Sequence, residues 1–430
     1  MRVIGIIAEF NPFHNGHEHL IKKAREAVND PRAVVMPVIS GFFTQRGLPA
    51  ICPPSVRARQ ALLCGSDVVI ELPFSFACAP SSRFAEGAVS ELLSTGVVTD
   101  IAFGVDSDDT ELLKALAATD FVDDEGFNRL LNGYISTGIS FPKARASAIK
   151  DFAKDKGITG DLDPLLSSPN SILALDYLLA INRLDRNKKL NIIMIKREGS
   201  AYNSRDLTGS MPSASSIRTF INRTAPDGYS RAAIASGLNG LMPDLSLAAM
   251  LSSNSGGIFS FPDYAGYIRD CLNTALAIPS LESVAYMSDG LSGYIRNFAG
   301  NIRSDTIPDD DHDLKVFEEN IATRRYTLTR IERALASMMT GQDSKVLDIK
   351  EPPYIRVLGF NSEGKYCLKI MGKCSRIPVI SRPSDCLELE TGNDALKQIF
   401  ELDMRAASTG WKLYGRNTAS EWESVPAIVK

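Results

Sequence analysis

Three of the four histidines in the chain lie within six residues, at His14, His17 and His19. The first two flank the pair Asn15-Gly16. Two imidazoles can donate hydrogen bonds to a phosphoryl group as negative charge develops on it. A glycine between them has no Cβ, so that a ligand can approach the backbone closely. The pattern predicts a turn that binds nucleotide phosphates, with His14 and His17 as catalytic candidates.

The flanking segments indicate how this turn is positioned. Residues 3–8 form a short apolar run, as expected of a central parallel strand. A helix is predicted from His17 to Val28, because apolar residues recur there on one face. Ligands of open parallel sheets bind beyond the carboxyl ends of the strands, and a helix N-terminus favours phosphate. His19 lies on a different face of the helix, where we expect a structural or solvent-exposed role.

The rest of the chain divides into an alternating part and a mainly helical part. Further strands alternating with helices are predicted at residues 33–39, 67–72, 99–103 and 190–195. This order favours an α/β fold with a Rossmann-like parallel sheet. Residues 230–340 favour helices, including one over 323–339, and strands return at 354–360 and 366–371. We therefore predict a Rossmann-like domain (1–225), a mainly helical region (226–345) and a small C-terminal α+β region (346–430).

Composition is that of an ordinary soluble protein. The chain is 44% hydrophobic and 23% charged, with a formal charge of −4, so any RNA partner would need a local basic face. Seven scattered cysteines without a CxxC pair indicate reduced thiols and no metal site. No apolar stretch reaches the roughly 20 residues of a membrane span, and the N-terminus lacks a secretory pattern. We expect a cytoplasmic protein with no membrane partner.

Several polar residues lie at element ends where a nucleotide would bind. Gly104 ends a predicted strand, where backbone can pass close to an adenosine. Asn170 precedes a helix and could contact a base or ribose, or simply cap the helix. Arg197 could hold phosphate or be a solvated residue at a strand end. In the segment 213–218, Ser216 and Arg218 could meet phosphates, or the segment could be a helix N-cap with an exposed arginine.

These motifs together resemble the bacterial tRNA(Met) cytidine acetate ligases of the HxGH nucleotidyltransferase superfamily. The resemblance covers most of the chain and is most specific in the first 110 residues. It rests on residues 8–17, 40–50, 67–73, 84–88, 103–104, 168–170, 196–197, 213–218 and 324–333. In one departure, Ile51-Cys-Pro-Pro54 occupies a stretch where the family tends to have a lysine, and Arg57 and Arg59 are the nearest cations.

The resemblance implies a two-step reaction. ATP and acetate would form acetyl-adenylate and pyrophosphate, and the acetyl group would pass to N4 of the wobble cytidine of elongator tRNA(Met). Mg²⁺ is expected because ATP phosphates usually carry it. The implied ATP contacts are Ile7, Ala8, Glu9, Phe10, Asn11, Pro12, Phe13, His14, Asn15, Gly16, His17, Glu18, His19, Leu20, Gly104, Asn170, Arg197, Ser216 and Arg218.

Basic residues elsewhere are candidates for RNA binding. We predict a basic helix face on which Tyr326 could stack on an exposed anticodon base. Solvated charge is the alternative for the arginines. The candidates are Arg46, Arg324, Arg325, Tyr326, Arg330 and Arg333.

The sequence leaves two roles open for each of two carboxylates at strand ends. It also leaves alternatives for the function of the chain. Glu71 could help to activate the cytosine amine or, as we favour, bind a loop N–H group; Glu9 is similar. A small-molecule adenylyltransferase and a non-catalytic RNA- or nucleotide-binding module remain alternatives for the chain. The acetate pocket, the general base, the mode of tRNA docking and the oligomeric state are left open.

Overall fold

The fold is described from a computed structural model of the chain. The described residues are 1–187, 189–197, 207, 211–224, 230–252, 258, 261–301, 320–387, 389, 392–416 and 421–429.

One mixed sheet organises the described residues. Its strand order is β5-β4-β1-β2-β3-β6-β7, and β8 also pairs with β6. The strands are β1 (Val3–Ala8), β2 (Val34–Ser40), β3 (Val68–Leu72), β4 (Asp100–Val105), β5 (Asn191–Lys196), β6 (Ile355–Phe360), β7 (Val379–Ile380) and β8 (Ala427–Ile428).

The first five strands form the predicted parallel sheet. β1 pairs in parallel with both β2 and β4, while β3 and β5 extend the sheet on either side. Val3 and Ile7 of β1 belong to one apolar cluster, and Ile4 and Ile6 belong to the cluster on the opposite face. Burial on both faces explains the unbroken apolar runs. The chain reverses its direction of travel across the sheet at β1, which places a ligand crevice between β1 and β4.

The C-terminal residues complete this sheet instead of forming one of their own. β6 lies antiparallel to β3, with Arg356 opposite Glu71. The predicted region 346–430 thus adds its strands to the edge of the Rossmann-like sheet. The predicted boundary at 225/226 lies outside the described residues, and the division into three regions stays a prediction.

Helices cover both faces of the sheet and fill the middle of the chain. In the first half they are α1 (Asn15–Val28), α2 (Pro54–Leu63), α3 (Phe74–Ala77), α4 (Ser81–Ser94), α5 (Thr110–Ala118), α6 (Glu125–Ser136), α7 (Phe141–Asp155), α8 (Asp163–Ser167) and α9 (Pro169–Leu184). In the second half they are α10 (Ala214–Thr224), α11 (Arg231–Leu238), α12 (Asp244–Leu251), α13 (Phe261–Ala277), α14 (Leu291–Asn301), α15 (Leu328–Thr340), α16 (Ser362–Cys374) and α17 (Asp394–Leu413).

Two predictions of secondary structure were wrong. The strand expected at 366–371 lies inside α16, because Asn361 caps this helix by accepting the Gly364 N–H at 2.9 Å. Its buried residues Gly364, Cys367 and Met371 follow helical spacing, not alternation. The helix expected from residue 323 begins only at Leu328, after a bend.

Within the described residues, none of the helices combines the length and the apolar character that a membrane span requires.

Candidate active site

The histidine turn closes the N-terminus of α1 with its own side chains. His14 is the N-cap residue, and its Nδ1 atom accepts a hydrogen bond from the Gly16 N–H at 3.0 Å. The His17 Nδ1 atom accepts in return from the His14 N–H at 3.2 Å. This reciprocal arrangement is a capping box, which serine or threonine and glutamate or glutamine usually make. It fixes both imidazoles, whose ring centroids lie 4.0 Å apart.

The capping contacts determine which nitrogen of each imidazole carries the proton. Because each Nδ1 atom accepts a hydrogen bond, a neutral ring carries its proton on Nε2. Burial, with the nearby guanidinium groups of Arg197 and Arg218, lowers the pKa of His14 to about 3. Burial also lowers the pKa of His17 well below its usual value, with further contributions from His14 and Arg197. Near pH 7 the turn therefore offers two neutral Nε2–H donors that capping does not use.

The backbone of the turn is less available to phosphate than the sequence suggests. The Gly16 N–H donates to the His14 ring, and the His17 N–H donates to the His14 carbonyl at 2.8 Å. Two of the first N–H groups of α1 are thus used inside the turn. The imidazole Nε2–H groups are consequently the better phosphate donors in this arrangement.

We expect the free energy of unfolding to fall as the pH drops from 6.5 toward 3, because the pKa of His14 is depressed. The unfolded chain takes up this proton below about pH 6.5, whereas the folded chain resists protonation until about pH 3. In that interval the depressed pKa of His14 alone lowers the free energy of unfolding by about 1.4 kcal/mol for each pH unit of acidification. Urea unfolding at several pH values should show a weaker dependence for His14→Asn, whose amide oxygen can still cap the helix. Parallel curves for the two proteins would contradict the assignment.

Aromatic side chains support the turn from the interior. The Phe10 and Phe13 rings are both buried, and their centroids lie 4.9 and 5.5 Å from that of His17. Phe10 packs edge-on against the imidazole. These contacts explain why the His17 ring is held in one orientation.

Arg218 reaches the same turn from α10. Its Nη1 atom donates to the Asn11 carbonyl at 2.7 Å, so the predicted alternative of an exposed arginine is wrong. Ser213 begins the helix, since its hydroxyl accepts the Ser216 N–H at 3.0 Å. The Ser216 hydroxyl is buried and donates to the Ser213 carbonyl at 2.8 Å. Arg218 therefore faces the histidine turn, whereas the Ser216 hydroxyl is engaged within its own helix start.

Side chains from three elements meet just beyond the carboxyl end of β4. Asp106 follows this strand, and its two oxygens lie 2.9 and 3.1 Å from Nδ2 of Asn170 in the first turn of α9. Nε of Arg197, at the end of β5, lies 3.5 Å from Asp106 Oδ1. The Ser168 hydroxyl also donates to Asp106. Ser168 is the N-cap of α9, so the predicted alternative of Asn170 as the cap is wrong.

Asp106 was not among the residues predicted from the sequence. Its signal was its position, one residue after a strand on the ligand-binding edge of the sheet. Gly104 was expected to let backbone pass close to an adenosine. In the structure its neighbour is Arg197, because a Cβ at residue 104 would lie 3.1 Å from Arg197 Cγ. Glycine therefore leaves room for the stem of Arg197, which crosses the end of β4.

Taken together, these groups suit a polyanionic nucleotide. The guanidinium groups of Arg197 and Arg218 act electrostatically on the neutral imidazole of His14, and that of Arg197 also acts on His17, at the sheet edge where the crevice lies. Guanidinium groups bind phosphate in bidentate fashion, and neutral N–H donors can stabilise charge that develops on phosphorus-bound oxygens. The geometry supports attack on a nucleotide phosphate.

Comparison with known proteins places the chain in one family over its full length. Residues 1–423 match the family described as HIGH Nucleotidyl Transferase. The tRNA(Met) cytidine acetate ligase of Acetivibrio thermocellus is 34% identical, with 94% of each chain covered. That of Clostridium kluyveri is 33% identical, with 100% of this chain and 99% of the relative covered. This chain belongs to the tRNA(Met) cytidine acetate ligase family.

Solved structures confirm the fold of this family member. The crystal structure of apo Thermotoga maritima TmcAL is similar over 100% of both chains, with 27% sequence identity and a TM-score of 0.86. A second crystal structure of that protein, bound with alpha-thio ATP, has a TM-score of 0.83 at the same identity and coverage. The expected Rossmann-like α/β nucleotidyltransferase fold is therefore confirmed.

Two carboxylates on the β2–β3 side of this ligase-family site have anchoring contacts. Glu9 Oε1 accepts the Gln45 N–H at 2.6 Å, which is the loop contact favoured for such a residue. Glu71 differs from the favoured expectation, because its Oε2 lies 3.0 Å from Arg356 Nη1 in a buried ion pair. Burial raises the pKa of Glu71, and Arg356 opposes that effect.

Neither cation near the replaced family lysine makes an obvious substitute for it. Arg57 is fully buried and donates to the carbonyls of Cys52, Glu9 and Gly41, tying the ends of β1 and β2 to the following loop. Arg59 is exposed on α2. Arg57 thus holds backbone, and its guanidinium is already occupied.

The predicted basic helix face of this family member is not a single surface. Arg324 and Arg325 are exposed, but they lie in the bend before α15. Tyr326 is buried, donates to the Asp289 carbonyl at 2.6 Å and packs against another aromatic ring, so in this structure it does not present a stacking surface. Arg330 pairs with Asp289 at 2.9 Å.

The remaining RNA candidates lie near one another. Gly47, next to Arg46, has a φ of +99°, and a Cβ there would lie 2.4 Å from the Arg333 backbone nitrogen. The loop therefore packs directly on α15, and only glycine fits this contact. Burial lowers the pKa of Arg333. RNA contacts by Arg46 and Arg333 stay predictions.

Among the described residues, no group of three or more histidine, cysteine, aspartate or glutamate side chains is arranged to hold a metal ion.

Proposed function

We propose that this chain is an ATP-dependent ligase that acetylates N4 of the wobble cytidine of elongator tRNA(Met). The observation that carries the proposal is the pair of neutral Nε2–H donors flanked by Arg197 and Arg218. This site lies in a chain whose relatives over essentially full length are tRNA(Met) cytidine acetate ligases. A solved structure of TmcAL, similar over 100% of both chains, holds an ATP analogue, which supports ATP as the nucleotide.

In the first step an acetate oxygen attacks the α-phosphorus of ATP. The new P–O bond forms as the bond to pyrophosphate breaks, giving acetyl-adenylate. His14 and His17 donate from Nε2 to the α-phosphate oxygens as charge develops there, while Arg197 and Arg218 hold the phosphates.

In the second step the N4 amine of cytidine attacks the acetyl carbonyl carbon. A C–N bond forms, the amine loses a proton and AMP departs with the electron pair of the broken C–O bond. The proton acceptor and the acetate pocket are not assigned. Mg²⁺ is expected to arrive on the phosphates of ATP, since the described residues supply no three-ligand cluster. A tRNA substrate makes the cytoplasm the expected location.

A direct assay tests the proposal. Folded protein is incubated with ATP, Mg²⁺, labelled acetate and tRNA(Met), and label is measured in the tRNA. We expect ATP-dependent label at the wobble cytidine, with AMP and pyrophosphate released. Absence of label contradicts the proposal. A stable nucleotide product formed equally well without tRNA would indicate a small-molecule adenylyltransferase instead.

The exposed bend before α15 provides a prediction for tRNA binding. The double variant Arg324→Gln/Arg325→Gln should raise the KM for tRNA and reduce the slope of log affinity against log salt by about one for each tRNA phosphate that the protein no longer neutralises. Arg330→Gln is the matched control, because Asp289 already pairs with that arginine. Filter binding at several salt concentrations measures both. Equal effects of the double variant and the control would remove the bend from the tRNA surface.

A further inference from the structure

We propose that Asp106 is a positioning residue that sets the donor and acceptor directions of the ATP site. This inference rests on the proposed function, because Asn170 and Arg197 are its expected ATP contacts. No other described carboxylate contacts both of these side chains. Asp106 joins them across the ends of β4 and β5 and the start of α9.

The first consequence concerns the amide of Asn170. Its Nδ2 group lies within hydrogen-bond distance of both Asp106 oxygens, at 2.9 and 3.1 Å. A carboxylate only accepts hydrogen bonds, so it selects the amide orientation that directs NH₂ toward itself. The Oδ1 atom of Asn170 must then point away from Asp106. The site thereby gains an acceptor suited to a ribose hydroxyl or an exocyclic amine.

The second consequence concerns the guanidinium of Arg197. The ion pair joins Asp106 Oδ1 to Nε, the donor nearest the stem, at 3.5 Å. The stem also passes over Gly104, which leaves space for it. Because Asp106 contacts the guanidinium at Nε, the two Nη groups remain available to donate hydrogen bonds to phosphate oxygens. The influence of Arg197 on the pKa values of His14 and His17 places its charge close to the histidine turn.

The expected effect of losing Asp106 on stability distinguishes the positioning role from a purely structural one. The side chains of Arg197 and Asp106 are 36% and 31% exposed, and an ion pair this accessible to water adds little to the stability of the fold. Loss of Asp106 should therefore leave the protein folded. Its effect should appear in ATP binding, where two misdirected side chains each weaken contacts with the nucleotide.

The test compares Asp106→Asn with Asp108→Asn. Asp108 is a matched control two residues away, since it pairs with Lys196 on the same strand ends and contacts no proposed ATP residue in the described structure. Calorimetric titration with ATP should give a dissociation constant at least about tenfold higher for Asp106→Asn. The control should match the unchanged protein. The KM for tRNA at saturating ATP and the thermal midpoint should change little in both variants.

A double-mutant cycle shows whether Asp106 acts through Asn170. In an Asn170→Ala background, Asp106→Asn should raise the dissociation constant for ATP by clearly less than it does alone. Fully additive effects, or equal ATP affinities of Asp106→Asn and Asp108→Asn, would overturn the inference. If the unchanged protein binds no ATP at all, the proposed function itself fails. Normal binding by both the unchanged protein and Asp106→Asn refutes only the role of Asp106.

Discussion

Replacement of His17 by asparagine is expected to slow acetyl-adenylate formation at least about 100-fold while leaving the protein folded. The asparagine Oδ1 can take the place of His17 Nδ1, which accepts the His14 N–H at 3.2 Å in the capping box. The Nε2–H donor is lost, and a preorganised donor of this kind contributes about 10²–10³ in rate. Acetate-dependent release of pyrophosphate from ATP measures the effect, and urea unfolding checks that the helix cap survives.

Two companion variants sharpen this test. His19→Ala alters a half-buried histidine two residues farther along α1, and it should change the rate only slightly. His17→Gln places an amide nearer to the position of Nε2 and should recover part of the activity that His17→Asn loses. A rate for His17→Asn close to that of His19→Ala would exclude the Nε2 donor from the chemistry.

Replacement of Arg356 by methionine is expected to lower the free energy of unfolding by about 3–5 kcal/mol. The side chains of Arg356, Glu71 and Glu421 are only 7%, 11% and 4% exposed. Without the guanidinium, Glu71 and Glu421 remain buried without an ion-pair partner among the described residues, with only Arg57 still acting on Glu71 electrostatically, and the cost of such a buried charge is large. Urea unfolding near pH 7 measures the loss.

Arg183→Met is the control for this prediction. Arg183 contacts three carboxylates, those of Glu86, Asp120 and Asp123, but the side chain of Arg183 is 30% exposed and these three are 42%, 50% and 75% exposed. Pairs in contact with water contribute about 0–1 kcal/mol, so this variant should be far less destabilised. Equal losses for Arg356→Met and Arg183→Met would show that the buried pair does not hold β6 against β3.

A large loss of stability in Arg356→Met would also indicate what Glu71 does in the reaction. Glu71 ends β3 on the ligand-binding edge, and from sequence it was a candidate for activating the cytosine amine. Its ion pair with Arg356 favours an anchoring role, because this buried contact joins the carboxylate of β3 to the neighbouring strand β6. Glu71→Gln should therefore weaken stability more than it changes the pH profile of acetyl transfer.

Local patterns were sufficient for much of the fold. The runs that became β1 to β5 are short, apolar and bounded by turn residues, and each was predicted within a residue or two. The histidine turn was equally local, since its strand, glycine and helix lie within 28 residues. Residues 366–371 show the limit of such patterns, because an apolar segment predicted as a strand is part of a helix capped by Asn361.

Local sequence patterns did not predict contacts between segments that lie far apart in the chain. Nothing near Asp106 in the sequence indicates that Asn170 and Arg197 will converge on it. Tyr326 resembled a stacking residue until the fold buried its ring and gave its hydroxyl a backbone partner. Local patterns also did not predict the pairing of β6 with β3, because it joins residues almost 300 positions apart.

The sequence by itself therefore determined the parallel sheet, the histidine turn and the family to which the chain belongs, because each can be recognised from short motifs whose own residues lie close together in the chain. Only the tertiary structure decided which imidazole nitrogen is free, which carboxylate orients Asn170 and Arg197, and which arginines remain exposed. Those properties depend on hydrogen bonds and burial between remote segments, and these exist only after the sheet and its helices have packed.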